Sequence, residues 1–193
     1  LDRMANGLVH LAGGTDMLLR ELNYIISDAD SKVPVTEGVE WAKESQIGKV
    51  EGQIVSAAAV DLALDALRRR LGASHTIRVQ HPLAVSETSE PEPDLAVVPG
   101  TPRDYVDRHP ASADLLVEVS DSSLEYDRTK KARVYAGAGI SEYWIVNLVE
   151  SLLEVHREPG RSGYRSVTTH RRGETVSPLV APGAEIDVAE LLP

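Results

Sequence analysis

Two carboxylates in this sequence interrupt apolar runs, where an unpaired charge is costly: Asp94 in SEPEPDLAVV and Glu118 in ADLLVEVSDSS. Side chains alternate along a strand, so Glu118 faces opposite to Val117 and Val119 and reaches toward Asp94 if the two strands are neighbours. Two converging carboxylates form a hard, anionic oxygen site suited to Mg²⁺ or Mn²⁺, ions that keep several waters and also bind phosphate oxygens. Asp127, Lys131 and Tyr135 follow at four-residue spacing. On a helix they share one face, and a helix leaving the strand of Glu118 would lay that face over the same end of the sheet. Lys131 would then bring a positive charge to the carboxylate pair. Each acid also has a plainer use: Glu118 paired with a core Lys or Arg, Asp127 with Lys131 as an exposed pair worth about 0.3–0.5 kcal/mol, and Asp94 as the cap of a turn.

The elements that must position these groups are written in the apolar spacing. Short aliphatic runs bounded by Pro, Gly, Ser or Asp predict strands at His75–Gln80, Leu95–Val98 and Leu115–Val119, and EYWIVN predicts another at Glu142–Asn147. Unbroken apolar strands suit a sheet covered on both faces. Ser122-x-x-Glu125 has capping-box spacing, and the helix it opens runs to Ala138 and stops at Gly139. Leu152–His156 and Tyr164–His170 predict a hairpin across Pro159-Gly160. Upstream, Val60, Leu64, Leu67 and Leu71 predict a helix over Ala57–Leu71, with Arg68–Arg70 in its last turn and Gly72 as its stop. Gln53–Ser56, after Glu51-Gly52, reads as the close of a short hairpin. The junction near 56–57 is abrupt enough to suggest a missing loop. Thr15-Asp16 signals a further helix over Met17–Ile26. This order predicts one α/β domain over residues 1–193: a sandwich around a central mixed β-sheet flanked by helices, with a C-terminal β-hairpin.

Composition limits the chemistry. The chain has 193 residues, no cysteine, 42% apolar residues and only 4% aromatics. Thiolate metal sites, disulfides and a cysteine nucleophile are excluded. No run approaches the roughly 20 apolar residues that span a bilayer, and no basic-then-apolar leader opens the sequence, so the expected location is cytoplasmic, away from membranes. A formal charge of −10 opposes unspecific adhesion to nucleic acid. Between Ser123 and Gly173, however, nine Lys+Arg face six acids, so a local basic rim is compatible with the acidic total. Tyr143 and Trp144 read as core rather than as base-stacking rings. The six histidines show no close ligand spacing. Arg171-Arg172 reads equally as a phosphate contact or an exposed hairpin end.

The stretch from Ser89 through Asn147, SEPEPDLAVV followed by LLVEVSDSSLEYDRTKKARVYAGAGISEYWIVN, resembles the Uma-type restriction endonuclease family, a bacterial branch of the PD-(D/E)XK nuclease superfamily. The likeness covers roughly residues 75–193, with residues 46–193 as the nuclease core and 1–45 as a poorly matched extension. It implies a restriction-endonuclease-like fold. It also implies that Asp94, after Pro93, and Glu118, 24 positions later, are metal ligands. The superfamily pattern would place a lysine two residues after the Glu, where this chain has Ser120. The resemblance moves that function to Lys131, four before Tyr135. The acid-bearing strand that the family carries before a Gly turn matches GKVEGQIV only with Gly48 at the acid and Glu51 in the turn.

The implied activity is Mg²⁺- or Mn²⁺-dependent hydrolysis of DNA phosphodiester bonds, with Asp94, Glu118 and Lys131 as the catalytic set and a homodimer as a possible assembly. Two rivals are a catalytically silent nucleic-acid-binding or assembly module on the same fold and a metal phosphodiesterase acting on RNA or a nucleotide.

Overall fold

The computed structural model describes residues 35–86 and 89–193, so the predicted Met17–Ile26 helix lies outside the described residues. Compactness divides the chain into residues 1–53 and Ile54–Pro193. The first described element, α1 (Val35–Leu71), is one continuous helix. Gln53–Ser56 is therefore helix and not strand, and the junction near 56–57 is helix interior. The run IVSAAAVDLALDAL is rich in helix formers, and an isolated Gly52 costs only about 1 kcal/mol within it. A β reading of Ile54 and Val55 would also have needed a pairing partner. Both are exposed in the helix, at 63% and 42%. From Ile54 onward, α1 buries Ala59, Val60, Ala63, Ala66, Leu67 and Leu71, a stripe at three- and four-residue spacing. It ends at Gly72, whose φ of +61° only glycine adopts freely.

Six strands follow: β1 (His75–Val79), β2 (Leu95–Pro99), β3 (Leu115–Ser120), β4 (Glu142–Asn147), β5 (Leu152–Gly160) and β6 (Gly163–Arg171). They form one sheet in sequence order. Every pairing is antiparallel except β3 with β4, which are parallel. A parallel pair requires a crossover, supplied here by helix α2. That helix consists of an α-helical turn Leu124–Tyr126, a π-helical turn Asp127–Lys131 and a final α-helical stretch Ala132–Gly137. The Ser122–Glu125 capping box does not form. Ser123 is the N-cap and makes no capping bond with its side chain. β7 (Thr175–Val176) and β8 (Ile186–Asp187) make a separate two-stranded sheet. The β5–β6 turn falls at Arg161-Ser162, not at Pro159-Gly160, because Pro159 and Gly160 stay paired with Tyr164 and Gly163.

Strand alternation sorts the sheet into two faces. Leu95, Val97, Val117, Val119, Trp144, Val146, Leu153 and Val155 pack with α1 and with Val176, Ile186, Val188 and Leu191. Ala96, Val98, Leu116, Tyr143 and Ile145 pack with Ala132 and Tyr135 of α2. Tyr143 and Trp144 are both fully buried, on opposite faces of β4. Glu142, at the start of β4, is also fully buried. Its Oε1 accepts from Arg157 Nη2 at 2.6 Å, Arg157 Nε at 2.9 Å and Trp144 Nε1 at 2.9 Å. Its Oε2 accepts from the Leu179 amide at 2.7 Å, which ties the C-terminal segment to the sheet. Arg157→Ala should leave this carboxylate uncompensated and cost about 3 kcal/mol or more in urea unfolding, whereas removal of the exposed Arg165 side chain should cost under about 0.5 kcal/mol.

Candidate active site

The register of the sheet brings the two acids together. Leu95 pairs with Val117, so Asp94, one residue before β2, stands opposite Glu118. Asp94 Oδ2 accepts from the Val119 amide at 2.8 Å, and the Asp94 amide points at Glu118 Oε2 at 3.4 Å. Among the described residues, the other oxygen, Oδ1, has only a long 3.3 Å contact from the Gln80 side-chain amide. The Gln80 backbone lies in the left-handed region, φ +50°, and its N–H donates to the Asp94 carbonyl at 3.0 Å. This is a strained conformation for a residue with a Cβ, and it is held by the neighbouring strand. Sequence reasoning missed Gln80, since nothing in HTIRVQ announces a left-handed residue.

Glu118 is 2% exposed, on the face of β3 that α2 covers. Tyr135 Oη donates to its Oε1 at 2.7 Å, and Lys131 Nζ stands 2.9 Å from its Oε2. The same ammonium lies 3.1 Å from Asp127 Oδ1. The helical face predicted from four-residue spacing therefore does converge on Glu118. The exposed-pair use of Asp127 is excluded, because this side chain is 1% exposed. A π turn carries Asp127 through Lys131, with the Ala132 amide bonding back to the Asp127 carbonyl. Such turns insert a residue into a helix and re-aim its face, often at functional sites. Arg128 anchors the turn to the sheet: its guanidinium donates to Glu154 Oε1 and Oε2 at 2.6–3.1 Å and to Glu150 Oε1 at 2.6 Å.

Burial raises the Glu118 carboxyl to about 7, with the charge of Asp94 adding to the effect and Lys131 working against it. Burial would lower the Lys131 ammonium, but Glu118 and Asp127 outweigh it and hold it above its ordinary range. Burial and the charge of Glu118 keep the Tyr135 phenol protonated, as its hydrogen bond to Glu118 requires. Lys131 is therefore a fixed cation at neutral pH, not a resident base.

Asp94 and Glu118 offer the donor chemistry of a hard divalent cation: one loosely bonded oxygen on Asp94 and one Glu118 oxygen shared with an ammonium. Among the described residues no three His, Cys, Asp or Glu side chains gather in a group that could hold a metal ion. A two-carboxylate set still fits Mg²⁺, which commonly takes one or two protein carboxylates and fills its other positions with water and phosphate. Lys131 and Tyr135 also line a cleft of about 410 Å³, bordered by Ser89, Glu90, Glu92, Tyr126 and Val134. Of the cations expected to form a basic rim, Arg128, Lys131 and Arg157 are bound to acids, while Lys130 and Arg133 are exposed on α2 beside Lys131. Arg171 and Arg172 are exposed at the end of β6, and Arg172 bonds the Pro193 carbonyl.

A family model described as "Uma2: Putative restriction endonuclease" matches residues 29–189. No curated protein matches the sequence. Among solved structures, the chain resembles a putative nuclease belonging to DUF820 from Anabaena variabilis ATCC 29413, with a TM-score of 0.55 and 14% identity over 70% of this chain and 78% of that one. At that identity the likeness establishes the shared α/β nuclease-like fold. No helix among the described residues is long and apolar enough to cross a membrane.

The raised Glu118 carboxyl has a definite sign in stability. The folded protein holds a proton that the unfolded chain, with an ordinary value of 4.5, has released, so stability falls as pH rises from about 4.5 to about 7. In metal-free protein, urea unfolding at pH 5 and pH 8 should show this loss, and Glu118→Gln should abolish that part of it.

Proposed function

From the premise that this chain belongs to the Uma2 restriction endonuclease family, a nuclease at family level, we propose that it hydrolyses DNA phosphodiester bonds with Mg²⁺ or Mn²⁺ held by Asp94 and Glu118 and with Lys131 as the cationic partner. The observation that carries this reading is an ammonium 2.9 Å from a buried carboxylate that stands opposite a second carboxylate at the entry to the neighbouring strand. When bound, the divalent ion would neutralise the scissile phosphate and lower the pKa of a coordinated water.

The protein's own residues do the remainder. The Val119 amide fixes one oxygen of Asp94, and the other takes a long contact from the Gln80 side-chain amide that a cation could replace. Tyr135 holds one oxygen of Glu118 and so orients the other. Lys131, charged throughout the neutral range, offers its protons to a phosphate oxygen or to the attacking water and offsets charge that grows in the transition state. Lys130 and Arg133 supply exposed positive charge beside the cleft, and the acids Glu90 and Glu92 on its border restrain unspecific adhesion of polyanions. A homodimer would present two such sites to the two strands of a duplex.

Plasmid nicking by purified protein across Mg²⁺, Mn²⁺ and Ca²⁺ tests the reading. Cleavage with Mg²⁺ or Mn²⁺ is expected. Its absence under all three would favour a silent nucleic-acid-binding module, and cleavage confined to RNA would replace the DNA substrate. Lys131→Ala should lower cleavage by at least about 100-fold while Mn²⁺ binding, read by calorimetry, persists. Asp94→Ala and Glu118→Ala should each lose Mn²⁺ binding.

A further inference from the structure

A lysine ammonium at the end of a flexible stem does not hold one place without partners at fixed positions. Glu118 is one partner, but it is also the carboxylate that a divalent cation would claim. The second partner is Asp127. Its Oδ2 accepts from Ser120 Oγ on β3 and from Ser123 Oγ at the start of α2, both at 2.6 Å. Its backbone carbonyl accepts from the Ala132 amide and from Tyr143 Oη at 3.3 Å. Its Oδ1, buried and, among the described residues, without a hydrogen bond from any other side chain, lies 3.1 Å from Lys131 Nζ. Two hydroxyls from different elements thus fix the carboxylate, and its remaining oxygen is turned to the lysine.

We propose that Asp127 is a positioning residue for Lys131: braced by Ser120 and Ser123, it holds the ammonium beside Glu118 and keeps it there when Glu118 is engaged by a divalent cation. This rests on the role of Lys131 given above. Asp127 is assigned to the lysine and not to a metal: its Oδ2 accepts from two hydroxyls, where the corresponding oxygen of Glu118 accepts from one, and its Oδ1 faces the ammonium.

The test is a double-mutant cycle of Asp127→Asn and Lys131→Ala, which isolates the interaction of the two groups. Asparagine keeps the shape and an acceptor for the two hydroxyls. Asp127→Asn should lower kcat by at least about 10-fold, as displacement of a catalytic group does, with KM and the Mn²⁺ dissociation constant within about twofold of wild type, a change too small to signal a lost ligand. In the Lys131→Ala background it should cost nothing further. Asp127→Glu should restore less activity than wild type but more than Asp127→Asn. Loss of Mn²⁺ binding in Asp127→Asn would overturn the proposal in favour of a ligand. An equal loss of kcat in both backgrounds, with a lowered unfolding midpoint, would overturn it in favour of a purely structural role.

A second arm does not need activity. Competitive trace acetylation of metal-free protein, read residue by residue by mass spectrometry, should show Lys131 several-fold more reactive in Asp127→Asn than in wild type, with Lys130 as the internal reference. If wild-type protein cleaves nothing, this arm still decides: unchanged Lys131 reactivity overturns the positioning role, and raised reactivity supports it independently of the cleavage reading.

Discussion

A carboxylate on the apolar face of a sheet, beneath a helix, is the constraint around which this molecule is arranged. Glu118 lies among Ala96, Leu116, Tyr143 and Ile145 on a covered surface, where an isolated charge would be costly. Three groups make its burial tolerable: the Tyr135 hydroxyl, the Lys131 ammonium and the approach of the Asp94 amide. Two of the three come from α2, so the helix that shields the sheet also supplies the charge that shielding makes necessary. Shape and chemistry are coupled at this point. A helix packed there for its apolar face alone would leave the acid protonated and inert.

The sheet topology makes this coupling possible. β3 and β4 are parallel, and the crossover between them passes directly over the end of β3. Antiparallel neighbours joined by a tight turn would bring no helix to that place. The opposite face buries a carboxylate of its own, Glu142 at the start of β4, satisfied by Arg157, Trp144 and the Leu179 amide. That face is otherwise filled by aliphatic side chains and Trp144 against α1 and the C-terminal segment. Both faces thus combine apolar burial with a satisfied carboxylate, and beneath α2 that carboxylate is joined by Asp94 and Lys131.

Much of this was legible in the sequence, for identifiable reasons. Asp94, Glu118 and Lys131 stood out because charge inside an aliphatic run, or at four-residue spacing on a helix, is a pattern that local rules detect. The strands at 95–98, 115–119 and 142–147 were bounded by strong breakers and lie within the observed ones. What escaped depends on contacts distant in sequence. Ile54 and Val55 are β-branched, but the helix-forming run after them, rich in alanine and leucine, decides for helix. Pro159-Gly160 looks like a turn, yet Gly163, at φ +135°, relieves the tight connection three residues later. The left-handed backbone of Gln80, the hydroxyls of Ser120 and Ser123 on Asp127, and the π turn have no local signature. Ser120 in particular looks like the frayed end of a strand, although it is fully buried.

The anchoring of Arg128 ties the site to a part of the chain made later. Asp94, Glu118, Asp127, Lys131 and Tyr135 are all synthesised before residue 136, but the acids that grip Arg128 are Glu150 in the connection after β4 and Glu154 on β5. A ribosome-bound intermediate that ends before β5 would contain every reactive group and still lack the grip on the turn that presents the lysine. Domains fold as their segments emerge. The grip on the π turn therefore arrives only with the connection after β4 and with β5.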